Sequence, residues 1–158
     1  MINEMTGWSE MKSLKLSRFL VLGMEFLCAA LLICVPFISR WYEEISTGVG
    51  LVDGSTFVPV CVMLYICDVF AIVAVNSLRI LLRNISAGEV FTETNSRMLR
   101  MISWCIVFAG VTFAVFGIWR FSFFFASFFA LFLGLVMRVL KNVFEKAVEI
   151  KSENDFTI

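Results

Sequence analysis

Four long apolar stretches dominate this chain, and short polar segments separate them. The stretches cover residues 19–38, 57–78, 101–119 and 121–140. A helix needs about 20 apolar residues to cross a hydrocarbon core roughly 30 Å thick, so each stretch has the length of a transmembrane helix. The pattern predicts an all-α integral membrane protein, a four-helix bundle forming a single membrane domain over residues 1–158.

Lys and Arg are distributed unevenly among the polar segments. Only Arg40 and Arg120 lie on the side that follows the first and third stretches. The other eleven lie on the opposite side: Lys12, Lys15, Arg18, Arg79, Arg83, Arg97, Arg100, Arg138, Lys141, Lys146 and Lys151. Because Lys and Arg in short loops favour the cytoplasmic side, both termini are expected in the cytoplasm.

The composition narrows the classes of function. Hydrophobic residues make up 60% of the chain, against roughly 45 to 50% in an ordinary soluble domain. Thirteen Lys and Arg balance thirteen Asp and Glu, which argues against direct binding of nucleic acid. There is no His, and all five Cys fall within apolar stretches. We therefore expect a non-enzymatic protein with no catalytic site, metal or cofactor.

Three polar residues within the apolar stretches are candidate functional residues, namely Glu25, Asp68 and Asn76. A carboxylate inside a bilayer is costly, so it suggests a function. Asp68 is expected to face the bundle interior, and either to hydrogen-bond Ser, Thr or Asn or to be protonated. Glu25 is nearer the polar boundary and is expected to pair with Arg138 or Arg18.

These polar residues also support an alternative function. Asp68, with Glu25 and Asn76 on its cytoplasmic side, would suit a proton or cation pathway in a small proton- or cation-linked transporter. Coupled transporters usually have more spans or clear repeats, and no pair of helices interrupted by Gly or Pro is evident here. A structural or ligand-sensing role for the two acids is therefore favoured.

Small residues recur along the third and fourth stretches, where close helix packing in a membrane requires them. They are Ser103, Gly110, Ala114 and Gly117 on the third, and Ser122, Ala126, Ala130 and Gly134 on the fourth. We expect the two faces to meet, because the tight turn between these stretches makes them antiparallel neighbours. The spacing leaves open a homo-oligomer through the face of the fourth stretch.

The segment over residues 79–100, here called the elbow, carries clear signals for ending and starting a helix. The second helix should stop at Gly88, a residue suited to the left-handed conformation. Thr92 is a good N-cap for the next helix, and Phe91 is placed to act as a hydrophobic staple.

The chain after the fourth stretch keeps a helical pattern. Leu140, Phe144, Ala147 and Val148 fall on one face, so the fourth helix should extend into the cytoplasm to about Ser152. Residues 141–158 thus form a cytoplasmic helix and tail. The apolar face would lie on the elbow, on the membrane surface or on a partner protein.

Two motifs carry a resemblance to a known family. The elbow reads I-x-x-G-x-V-F-x-x-x-N-x-x-x-L-R, with Ile85, Gly88, Val90, Phe91, Asn95, Leu99 and Arg100 at the named positions. The chain ends on E-N-D-x-T-I, with Glu153, Asn154, Asp155, Thr157 and Ile158. Both resemble the motifs of an uncharacterised family of bacterial four-span membrane proteins.

The resemblance implies a multi-pass protein in the lipid bilayer of the bacterial plasma (inner) membrane. Members of that family are often encoded beside small Cro/repressor-type helix-turn-helix proteins. It therefore implies that this protein binds or regulates such a cytoplasmic regulator, with the two motifs as candidate partner-binding residues. Alternatively, the tail folds back onto its own bundle, with Asp155 meeting Arg97 or Arg100.

Overall fold

The computed structural model describes residues 10–46, 50–52 and 54–155, with side chains from residue 14 to residue 153. The described residues form four helices: α1 (Glu10–Ile45), α2 (Phe57–Ser86), α3 (Glu93–Phe116) and α4 (Ser122–Asp155). The all-α architecture predicted from the sequence is confirmed. Each helix is long and apolar enough to cross a membrane.

The helices pack in chain order, α1 on α2, α2 on α3 and α3 on α4. Among the described residues, no Cα atom of α1 lies within 8 Å of one in α4. We call the end where α1 and α3 begin the basic end, because the larger group of Lys and Arg lies there. At the opposite end, α1 and α4 approach through side chains, with the Tyr42 and Phe123 ring centroids 5.9 Å apart.

The buried core is small because each helix also has an outward face. One cluster joins α1 to α2 through Val21, Cys28 and Val75. A second, towards the opposite end, contains Val60, Met63 and Phe116. Large apolar side chains on the outward faces are exposed, as expected where the surrounding solvent is lipid.

Small and hydroxyl residues bring α3 and α4 into close contact. The Ser103 hydroxyl donates to the carbonyl oxygen of Gly134 at 3.1 Å. The Ser127 hydroxyl donates to the carbonyl oxygen of Gly110 at 2.8 Å. The expected meeting of these two helices through small residues is therefore confirmed.

The predicted contact face of α4 is wrong near its middle. A Cβ atom at Gly110 would lie 2.9 Å from the side chain of Leu131, so Ser127 and Leu131 contact Gly110. Ala126 and Ala130 are only partly buried, and Ser122 is exposed. Residues spaced by four drift by roughly 40° per step around an α-helix, which carries the predicted stripe away from α3.

The loop after α1 packs on the turn between α3 and α4. The Leu51 amide donates to the carbonyl oxygen of Ile118 at 2.8 Å. A Cβ atom at Gly50 would lie 1.9 Å from the carbonyl oxygen of Trp119, so this close approach requires glycine. Nε of Arg120 also donates to the Ser46 hydroxyl at 3.0 Å. These contacts connect the end of α1 to the turn before α4, at the end of the bundle opposite the basic end.

Candidate functional site

Within the elbow, α2 ends at Ser86. Gly88 has φ +83°, within the left-handed region that favours glycine. The next amide, that of Glu89, returns to the carbonyl oxygen of Asn84 at 3.0 Å. The prediction that α2 stops at Gly88 is confirmed, and the chain leaves the helix there in a tight turn.

Thr92 starts α3 as predicted. Its backbone is extended, and its hydroxyl oxygen accepts a hydrogen bond from the amide of Asn95 at 3.3 Å. The predicted staple role of Phe91 is wrong, because its ring lies on Phe144 of α4 with centroids 5.3 Å apart. The staple position within α3 is held by polar Ser96, so the aromatic ring finds its apolar contact on α4.

Asn95 is the centre of the elbow and is fully buried. Its Nδ2 donates to the carbonyl oxygens of Glu89 and Val90, both at 2.7 Å. Its Oδ1 accepts from Nδ2 of Asn84 at 2.8 Å. One side chain therefore joins the end of α2, the connecting turn and the start of α3. Sequence reasoning found Asn95 only as a motif position and missed this role.

An ion cluster joins α3 to α4 beside the elbow. Nη2 of Arg100 lies 2.6 Å from Oε1 of Glu145, and Nζ of Lys141 lies 2.7 Å from Oε2 of the same carboxylate. Hydrogen bonds from Lys141 and then Arg100 lower the pKa of the Glu145 carboxyl from 4.5 to about 2. Glu145 follows the apolar part of α4 and stays ionised in this setting.

The other residues of the elbow and tail motifs are less central. Leu99 is buried. Arg97, which lies between two motif positions, is exposed and pairs with Glu93 at 3.6 Å. In the tail, Glu153 lies in α4. The side chains of Asn154 and Asp155, and all of Thr157 and Ile158, lie outside the described residues. The proposed contact of Asp155 with Arg97 or Arg100 therefore stays a prediction.

A cleft of about 700 Å³ lies between the first turns of α3 and the last turns of α4. Its apolar surface comes from Phe91 and Val148, and its charged rim contains both signs. Its lining includes Phe91, Ser96, Arg97, Val148, Glu149 and Lys151. We call this the basic-end cleft. It is bordered on one side by the elbow and by the Arg100–Glu145 pair.

Asp68 is buried, as predicted, and faces α1. The thiol of Cys28 lies close enough to the carboxyl group to interact with it electrostatically. Neither carboxylate oxygen has a hydrogen bond of normal geometry. The predicted bond to Ser, Thr or Asn is therefore absent at this position.

The predicted partner of Glu25 is wrong. Nη1 of Arg79 bonds both carboxylate oxygens of Glu25, at 3.2 Å and 3.1 Å. Arg138 instead lies over the ring of Trp104, with its guanidinium carbon 4.7 Å from the ring centroid. The packing order of the helices selects the partner of Glu25. Arg79 lies on α2, which packs on α1, whereas Arg138 lies on α4, which does not pack on α1.

The three polar residues of the predicted pathway are not brought together. Asp68 is buried against α1, Glu25 is paired with Arg79, and Asn76 is exposed on the surface of α2. Among the described residues, no three His, Cys, Asp or Glu side chains are grouped to hold a metal ion. Within the described part of the chain, Asp68 is therefore the one buried acidic side chain in a candidate span.

Four helices of this length and apolarity are the architecture of a multi-pass membrane protein. Residues 52–158 match the family described as "Protein of unknown function (DUF2975)". The chain belongs to this family. The match includes the elbow, the Arg100–Glu145 pair and the basic-end cleft, whereas α1 precedes it. No curated protein and no solved structure matches the chain.

Proposed function

We propose that this protein is a non-enzymatic, multi-pass protein of the bacterial plasma membrane whose basic end binds a cytoplasmic partner protein. Both termini and the end of α4 then lie in the cytoplasm. The distribution of Lys and Arg supports this orientation. At 1.5 Å per residue, the 34 residues of α4 span about 51 Å, which exceeds the roughly 30 Å of hydrocarbon.

The observation that carries the proposal is the basic-end cleft. Phe91 and Val148 supply apolar surface, while Arg97, Glu149 and Lys151 supply charges of both signs. Protein interfaces combine these features, with an apolar centre inside a polar rim. The cleft walls are held by the bonds of Asn95 and by the pairing of Arg100 with Glu145. A fixed surface loses little conformational freedom on binding, which favours affinity.

The partner we expect is a small helix-turn-helix transcription regulator. This expectation comes from the family resemblance of the elbow and the tail. The shape of the cleft is compatible with it, because a helix of a partner can dock between two helix ends through an apolar face. The membrane protein would then hold the regulator at the membrane or control its release.

Co-purification from the native host tests the proposal. A tagged full-length chain, solubilised in mild detergent, should recover a helix-turn-helix regulator. Deletion of residues 152–158 should abolish recovery, as should Val148→Asp, which places a carboxylate on the apolar part of the cleft. The matched control is Ile150→Asp, since Ile150 is exposed and lies outside the cleft. Failure of the unmodified chain to recover any partner would overturn the proposal.

Asp68 supports a second candidate, a small proton- or cation-linked transporter. Its favouring observation is the buried carboxyl group of Asp68 within a span, where the Cys28 thiol is its polar neighbour among the described residues. Protein reconstituted in vesicles would then drive proton-linked flux, Asp68→Asn would abolish the flux, and Asn76→Leu at exposed Asn76 would retain it. An absence of flux, or flux that survives Asp68→Asn, would remove this candidate.

A further inference from the structure

A second cavity lies between α1 and α2 at the basic end, away from the cleft. It has a volume of about 430 Å³, and we call it the arginine pocket. Its charged lining residues are Arg18, Glu25, Arg79 and Arg83. Three arginines and one glutamate therefore line a pocket formed by two membrane-spanning helices.

The charges in the arginine pocket do not balance. Glu25 is bonded to Arg79 through both of its oxygens. Within the described part of the chain, Arg18 and Arg83 form no ion pair, and both side chains are exposed. Guanidinium groups present planar pairs of N–H donors that match phosphate oxygens, so the pocket has the chemistry of a phosphate site.

An apolar groove continues from the arginine pocket along α1. This acyl groove has a volume of about 610 Å³ and is lined by Phe19, Leu22, Gly23 and Phe26 together with Glu25. Phe19, Leu22 and Glu25 belong to both cavities. Apart from the two neighbouring residues and the backbone of α1 itself, no atom lies within 4 Å of the position a Cβ would take at Gly23, so the groove is open there.

The arginine pocket and the acyl groove form one continuous site along α1. From Arg18 to Phe26, α1 rises about 12 Å towards the middle of the bundle. Positive charge lies at the polar boundary, and exposed Phe19 and Phe26 lie deeper. We propose that this site binds an anionic glycerophospholipid, with its phosphate at Arg18 and Arg83 and an acyl chain in the acyl groove. Basic pockets between membrane helices bind such headgroups.

Lipid binding at this site depends on the location of the helices in a membrane, and the cytoplasmic partner plays no part in it. A free phosphate ion would offer the arginines the same oxygens as a lipid headgroup. The acyl groove distinguishes the two ligands, because it adds apolar contacts that only a lipid can make.

Native mass spectrometry of the detergent-purified full chain tests the site. The probes are phosphatidylglycerol and phosphatidylcholine with identical acyl chains, added at equal concentrations. Unmodified protein should retain phosphatidylglycerol in preference to phosphatidylcholine. The double variant Arg18→Gln with Arg83→Gln should lower phosphatidylglycerol binding about tenfold or more, because two charge-assisted contacts are lost.

The matched control is Arg138→Gln, which removes an arginine at the same end of the bundle but outside the arginine pocket. It should change phosphatidylglycerol binding by less than about twofold. Equal binding by the double variant and the unmodified protein would overturn the proposal. So would an equal loss in Arg138→Gln, since that result would show only a general attraction of charge.

A second variant tests the apolar part of the site. Gly23→Leu places a side chain in the open acyl groove, so it should weaken phosphatidylglycerol binding while all arginines remain. Inorganic phosphate at millimolar concentration should not displace the lipid. Displacement by phosphate would show that the site recognises phosphate without the acyl chain. Unchanged lipid binding in Gly23→Leu would show that no acyl chain occupies the groove. Either result would overturn the proposal. Circular dichroism confirms that each variant is folded.

Discussion

Nδ2 of Asn84 donates a hydrogen bond to Oδ1 of Asn95 at 2.8 Å, joining the end of α2 to the first turn of α3. The same Asn95 carboxamide satisfies two backbone carbonyl groups of the connecting turn, those of Glu89 and Val90. A buried polar group stabilises a fold only when its partners are all present. The shape of the elbow, and of the cleft beside it, therefore depends on one side chain.

Replacing Asn95 by alanine should destabilise the protein strongly. Asn95→Ala removes the partner of the backbone carbonyl oxygens of Glu89 and Val90 and of the side-chain Nδ2 of Asn84. The expected loss of unfolding free energy is about 3 kcal/mol. It is measured by denaturant titration of helicity in detergent. The control Asn142→Ala changes an exposed asparagine on α4 and should cost less than about 0.5 kcal/mol. Equal stability of the two variants would contradict the role of Asn95.

Gly50 should not tolerate a side chain. In Gly50→Ala the new Cβ atom would lie 1.9 Å from the carbonyl oxygen of Trp119, and backbone has to move to relieve the clash. We expect a loss of about 2 kcal/mol in unfolding free energy, measured by denaturant titration. Gly23→Ala is the control, because its Cβ meets open space and alanine favours helix, so stability should hold or rise. A neutral Gly50→Ala would mean that the loop does not pack on this turn.

The ion cluster at Glu145 should survive acidification. The pKa of this carboxyl is lowered from 4.5 to about 2, so the cluster contributes stability above pH 4.5 that is lost as the pH falls through about 2. Carbon-13 NMR of the Glu145 carboxyl measures the titration directly. Arg100→Gln removes one hydrogen-bond donor, so the pKa should rise towards its ordinary value. A midpoint near 4.5 in the unmodified protein would contradict the cluster.

Removing the Asp68 carboxyl should stabilise the bundle. Neither of its oxygens has a hydrogen-bond partner of normal geometry, and a buried polar group without one is costly. Asp68→Leu is expected to raise unfolding free energy by about 1 to 2 kcal/mol, measured as above. Glu25→Leu, which breaks the bond to Arg79, should show no gain. Destabilisation by Asp68→Leu would reveal a polar partner in the folded protein.

The sequence was sufficient where local chemistry decides the structure. Four apolar stretches predicted four helices, because the length of a membrane span is fixed by the bilayer. Gly88 and Thr92 predicted the end of α2 and the start of α3, because a left-handed residue and an N-cap act on their own neighbours. These features could be predicted without knowing how the helices pack.

Predictions failed where the rotation of one helix against another decides the contact. Glu25 had several arginines within reach, and only the packing of α1 on α2 selects Arg79. The contact face of α4 passes through Ser127 instead of Ala126, because a hydroxyl that bonds Gly110 compensates for its larger size. The elbow motif includes Asn95, but its three partners lie at the end of α2 and in the connecting turn, whose geometry the sequence does not specify.

Site-specific photo-crosslinking in living native cells is the sharpest test of the proposal that the basic-end cleft binds a cytoplasmic regulator. A benzophenone amino acid replaces Val148 in the cleft or, as the control, exposed Ile150 two residues away. We expect a crosslink to a small helix-turn-helix protein from position 148 and none from position 150. No crosslink from position 148, or equal crosslinks from both positions, would contradict it.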